Sequence, residues 1–165
     1  MANYFNISGE LTQELLATTS NTGVSKISLT NVNFGGSTLV DLYTKKQLKG
    51  NFYLLKKVEL PVGATLIHDI VVPRGYGLFI KLTKSDTFTL TGTINPVADP
   101  TVTGVGTLFL TEVQVGDEII VTGETRTVAS ITDTTNLEVT VATTDTDDDT
   151  SPECSPKSRI DVILS

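Results

Sequence analysis

The chain has 165 residues, enough for one moderate domain or two small ones, and the 39% that are hydrophobic can form a core without surplus. A formal net charge of -7 argues against direct nucleic-acid binding or an anionic membrane surface. No stretch approaches the ~20 apolar residues of a transmembrane helix. The opening Met1-Ala2-Asn3-Tyr4-Phe5 lacks the basic start and apolar run of a secretory signal, so synthesis in a cytoplasm is expected.

In chain order, residues 1–8 come first, with Tyr4, Phe5 and Ile7 as candidate subunit-binding residues. They read either as an apolar-aromatic arm reaching to another subunit or as a locally folded first strand. Glu10–Ala17 holds three leucines but no helix stop signal, and reads as a strand or a single turn. Thereafter apolar residues recur at every second position, the period of a half-buried antiparallel strand. In Phe52–Leu60 the residues Phe52, Leu54, Val58 and Leu60 share one face, with Lys57 and Glu59 on the other. Leu66, Ile70 and Val72 align around His68. Tyr76, Leu78, Ile80 and Leu82 repeat the pattern, as do Ile160, Val162 and Leu164. Turn residues at Asn21-Thr22-Gly23, Gly35-Gly36, Lys49-Gly50-Asn51, Pro61-Val62-Gly63 and Pro73-Arg74-Gly75 punctuate these strands.

From Thr91 to Thr150 the chain turns poor in aromatics and rich in Thr, Gly and Asp. Strands are expected at Glu118–Val121, Thr125–Ile131 and Leu137–Val141, the first two joined by a tight hairpin at Gly123-Glu124. Ile119, Val121, Val128, Ile131, Leu137 and Val139 would line a very small barrel or sandwich. An acidic run (Asp145, Asp147, Asp148, Asp149) and a turn-like, Pro-bracketed stretch around Cys154 follow. The strand within Ser158–Leu164 needs a neighbour, because a lone strand leaves backbone groups unsatisfied. Pairing near Tyr76–Leu82 would supply one. The expected architecture is an all-β antiparallel β-sandwich, jelly-roll or Ig-like, from residues 1–88 plus 157–165. A small barrel-like β subdomain, residues 89–156, is inserted between two of its strands.

The residues offer little chemistry. The single cysteine can form neither an internal disulfide nor a zinc site. His68 reads as a rim histidine, since Asp69 points to the opposite face of a regular strand. The acidic run lacks the glycine and terminal glutamate of an EF-hand loop and reads as solvated. Asp41, Glu59 and Glu112 would make a glycosidase pair only by accident of folding. The Gly104-x-Gly106 pair is expected to precede a strand, the wrong context for a nucleotide loop. Lys45, Lys46, Lys49, Lys56 and Lys57 read as a solvated loop and strand face. No catalytic residue, metal ligand or cofactor is assigned.

Two segments carry a resemblance. Val24–Asn31 followed by Ser37–Tyr43, Phe52–Leu66 with its Pro61-Val62-Gly63-Ala64-Thr65-Leu66 turn, and a closing hairpin of Tyr76–Thr87 with Arg159–Leu164 resemble small structural domains of tailed-phage virions. Gly104–Phe109, Thr111-Glu112-Val113, Val115–Ile119 and Glu124–Ile131 resemble a second module of phage virion proteins. Together they cover most of residues 20–165. The resemblance implies a virion location and a non-enzymatic structural role, as a capsid decoration (cement) or neck/tail accessory protein. Its partners would be other capsid, neck or tail subunits and further copies of itself. A receptor- or glycan-binding module of a tail fibre or baseplate is the alternative; the absence of Trp counts against it.

Overall fold

The computed structural model describes residues 2–20, 23–46, 49–83 and 86–165. Asn21 and Thr22 of the first expected turn, and Lys84 and Ser85 within Tyr76–Thr87, lie outside them. The chain runs β1 (Asn3–Ser8), β2 (Thr12–Leu16), β3 (Lys26–Asn31), β4 (Thr38–Lys46), β5 (Asn51–Leu60), β6 (Thr65–Asp69) and β7 (Tyr76–Thr83). Next come β8 (Phe88–Thr89), β9 (Thr93–Pro96), β10 (Thr101–Val105), α1 (Phe109–Glu112), β11 (Glu118–Val121), β12 (Glu124–Ile131), β13 (Asn136–Val139), β14 (Glu153–Ser155) and β15 (Arg159–Leu164). All named strand pairs are antiparallel. Two compact units result: residues 1–33, 37–84 and 158–165, and residues 34–36 and 85–157. The second unit takes in Phe88 and Lys157, which periodicity alone places with the sandwich.

The first unit is a β-sandwich of two four-stranded sheets, ordered β1-β15-β3-β6 and β2-β7-β4-β5. Ile7, Ile27, Leu29, Ile160, Val162 and Leu164 of one sheet pack against Leu15, Val40, Leu42, Leu78, Ile80 and Leu82 of the other. The last strand, β15, does not join β7 as expected. It lies between β1 and β3 in the opposite sheet. The reason is occupancy: β7 already has β2 on one side and β4 on the other, so it offers no edge. Tyr76–Thr83 and Arg159–Leu164 therefore do not form the closing hairpin that the resemblance implies.

Strand β5 also breaks the simple alternation. Val40 faces Val58 and Leu42 faces Leu55, so Lys56 and Lys57 stand opposite the single Asp41. This is a bulge, with Lys57 at φ 50 and its N–H held by Asp41 Oδ1 at 2.7 Å. A second register shift follows between Leu42 and Tyr43. As a result Leu54 and Leu55 are both half-buried, while Phe52 ends exposed at the rim. Asn31, buried at the end of β3, ties the two sheets together. Its Nδ2 donates to the Leu60 carbonyl at 2.8 Å, and its Oδ1 accepts the Asn33 N–H at 3.0 Å.

The second unit is one seven-stranded sheet, ordered β8-β14-β11-β12-β13-β10-β9. Its ends meet. Leu90 donates to the Pro152 carbonyl at 2.7 Å, and Ile94 and Asp149 exchange backbone bonds at 2.9 and 2.8 Å. Strand β8 thus continues through Gly92 into β9 as the stave that closes a small barrel, and closure removes strand edges. Phe109, Ile94, Val102, Ile119, Val121, Leu137 and Cys154 fill the interior. Cys154 sits in β14 and not in a turn, with its side chain wholly buried. The Gly104-x-Gly106 pair precedes the single helical turn α1 and not a strand. That turn exists because it drops Phe109 into the barrel, while Glu112 accepts the Thr91 N–H at 3.0 Å.

Between β11 and β12 the two-residue turn is Thr122-Gly123, with φ 50 and 81. Such a turn needs positive φ at both positions, which suits asparagine better than a β-branched residue. Thr122→Asn is therefore expected to stabilise the barrel by up to about 1 kcal/mol, part of the roughly 1–2 kcal/mol that left-handed backbone costs an ordinary L-residue. Slower labelling of the buried Cys154 thiol in native conditions would register the gain.

Candidate functional site

Strand edges, sheet faces and one carboxylate network supply the candidate sites among the described residues. Residues 3–8 form the edge strand β1 and do not project as an arm. Ile7 is buried in the core and Phe5 is half-buried against it. Of the three candidate subunit-binding residues, only Tyr4 points fully outward, at 74% exposure. Register aligns Tyr4 with Ile163, Ile163 with Ser28, and Ser28 with Ile67. Tyr4, Ile163 and Ile67 therefore lie in one line across that sheet, with Ser28 between the two isoleucines, Ile163 39% and Ile67 62% exposed. Beside it, Asn6 Nδ2 donates to Asp161 Oδ1 at 2.7 Å.

The outer face of the other sheet carries an aromatic row that sequence spacing does not reveal. Tyr43 sits between Phe79, stacked at 5.6 Å and 14°, and Tyr53, tilted at 5.4 Å and 52°. The Lys56 ammonium lies 5.0 Å from the centre of the Tyr53 ring. At the rim, Phe52 meets Tyr76 edge-on at 6.0 Å, with Lys46 5.8 Å from the Tyr76 ring. The rows assemble because β4 pairs with both β5 and β7, bringing together residues far apart in sequence. A cleft of about 260 Å³ lies among Leu16, Ala17, Val72, Pro73, Arg74 and Tyr76.

The acidic run is used mainly to hold backbone. Asp145 Oδ1 accepts the Asp147 N–H at 2.9 Å, and Asp149 accepts from Ser151 at 2.9 Å and from Thr122 at 2.7 Å. Glu124 anchors the segment from below, accepting the Thr144 hydroxyl and N–H and the Asp145 N–H, and pairing with Arg126. The Thr144 hydroxyl, followed by these N–H groups and the Arg126 charge, holds the Glu124 carboxyl below its ordinary range. Asp133, accepting N–H groups of Thr135 at 2.7 Å and Asn136 at 2.9 Å, is lowered for the same reason. Asp117 is buried, accepting from Gln114 at 2.8 Å and Lys157 at 3.0 Å.

Both lowered carboxyls favour the folded state when ionised. Their contribution is complete above the ordinary carboxylate pKa, about 4.3 for Glu, and is lost as pH falls through the lower folded values. Barrel stability is expected to hold through neutral pH and to fall below about pH 4. Glu124→Gln should flatten that acid limb, as read from denaturation midpoints across pH.

Elsewhere, Asp41 holds the β5 bulge, Glu112 holds Thr91, and Glu59 is an exposed residue of β5. His68 is half-buried opposite Ile27. Among the described residues, no three His, Cys, Asp or Glu side chains gather as a metal-holding group. Charge is sharply divided. The sandwich unit has ten Lys and Arg against six Asp and Glu, net +4. The barrel unit has two against thirteen, net -11, and the two values sum to the chain's -7. Compared with protein-family models, curated proteins and solved structures, the chain matches none.

Proposed function

We propose that this protein is a non-enzymatic structural subunit of a phage virion that binds neighbouring capsid or tail subunits, as a decoration (cement) or neck/tail accessory protein. The observation that carries the reading is the contrast between the two units. The barrel closes on itself, whereas the sandwich keeps a strand unpaired on its outer side at each end of both sheets, with Tyr4, Ile163, Ile67 and Tyr53 exposed on it. Edges and exposed apolar side chains of this kind bind other chains by strand addition and side-chain docking. Symmetry on a particle multiplies such contacts. The virion assignment itself comes from the motif resemblance of residues 20–165.

Gold-labelled antibody on whole particles tests it, with regularly placed label as the expected result. Label absent from particles, with the protein confined to the soluble fraction, overturns it. The Tyr53, Tyr43 and Phe79 row beside Lys56 favours a second reading, a receptor- or glycan-binding module. That reading requires glycan-array binding by the pure protein that Tyr53→Ala abolishes.

A further inference from the structure

The sandwich has four edge strands, and they differ in how they guard against pairing. Strand β5 carries Lys56, Lys57 and Glu59 and two register shifts, and β2 carries Glu14 and one shift. Strand β6 carries His68 and Asp69. Bulges and charges are the usual means by which an edge resists another strand. Strand β1 has neither: six residues, Asn3-Tyr4-Phe5-Asn6-Ile7-Ser8, in unbroken register with β15 and without Asp, Glu, Lys, Arg or His.

Its backbone phase follows from one bond. The Gly9 N–H donates to the Ser158 carbonyl at 2.8 Å, continuing the β1 ladder. Ile7, Phe5 and Asn3, at alternate positions, therefore turn their backbone groups toward β15. Tyr4, Asn6 and Ser8 turn theirs to the open side. These three residues are spaced to pair with themselves about a two-fold axis.

We propose that β1 pairs antiparallel with β1 of a second copy, centred on Asn6, to join two four-stranded sheets into one of eight strands. Asn6 then faces Asn6 of the second copy, and Tyr4 faces its Ser8, giving six main-chain hydrogen bonds. Between them Phe5 faces Ile7 of the second copy on the core side, which covers the half-buried Phe5 ring. Charge selects the occupant. Each copy carries a net charge of -7, so contact between copies is favoured where neither brings an ionised side chain. The inference rests on reading the sandwich as a subunit-binding module and names one of its partners.

Sedimentation velocity of the full chain over a concentration series is the test, with amide hydrogen exchange as the second readout. A species of twice the chain mass is expected, with the Tyr4, Asn6 and Ser8 amides more protected as it forms. Asn6→Pro removes the central outward N–H without taking a bond from β15, and should weaken the dimer at least tenfold. Asn6→Ala loses the same contact with Asp161 but keeps the N–H, and should dimerise like the parent. Asn6→Lys, which sets two cations together at the axis, should also yield monomer if the proline variant fails to fold. A parent chain that stays monomeric throughout, or a dimer untouched by both Asn6→Pro and Asn6→Lys, overturns the proposal. Neither result depends on whether antibody finds the protein on particles.

Discussion

Replacing Phe109 with alanine is expected to destabilise the barrel unit by about 3–5 kcal/mol, the usual cost of emptying a buried aromatic site. Phe109 is wholly buried and enters from α1, a turn too short to be stable without it. Its N–H donates to the Thr134 carbonyl at 3.1 Å, so the ring and the loop before β13 are positioned together. The chain supplies its own reporter. Its single cysteine, Cys154, lies in the same core. Thiol labelling in native conditions measures how often that core opens. The labelling rate should rise by about two to three and a half orders of magnitude in Phe109→Ala, following the tenfold change per 1.4 kcal/mol. An unchanged rate would show that Phe109 is not what seals the barrel.

Gly92→Ala should cost on the order of 3 kcal/mol by a different mechanism. Gly92 has φ +86, and a Cβ there would stand 2.6 Å from the Val105 carbonyl oxygen and 2.7 Å from the Thr107 nitrogen. Those are backbone atoms, so no side chain can swing away. The residue joins β8 to β9, the stave whose bonds to Asp149 and Pro152 close the sheet. Moving it should open the seam and free two strand edges. Faster labelling of Cys154, together with loss of amide protection at Leu90 and Ile94, is the expected result. Protection retained at both amides would mean the turn accommodates the methyl group.

How much of this was legible beforehand depends on the range of the interaction involved. Alternation along the chain is local, and it marks β7, β11 and β15 closely because side-chain period and burial coincide there. It misleads in β5, where the bulge opposite Asp41 is decided by a side chain on the neighbouring strand. It is silent on β9 and β10, short staves interrupted by Gly104 and bounded by Pro96 and Pro100. It is silent too on α1, which is held by Phe109 and Glu112 acting at a distance. The candidate site was visible only as residue types. Tyr4, Phe5 and Ile7 have the composition of an adhesive segment, but alternation sends two inward and one outward once β15 fixes the strand. The Tyr43, Tyr53 and Phe79 row has no sequence signature at all, because three strands contribute one ring each.

The sequence by itself determined the all-β class, most strand positions and a chain-wide acidity that falls mostly after residue 85, and it placed a tight hairpin turn at Gly123-Glu124, one residue beyond the observed Thr122-Gly123. Backbone stiffness, two-residue periodicity and turn chemistry act between near neighbours, so they can be read in one dimension. Only the tertiary structure decided that β15 enters between β1 and β3, that the barrel seals at Ile94 and Asp149, and that β1 is left at an uncharged edge. Each of those outcomes depends on which hydrogen-bonding edges remain unoccupied after the other strands have paired.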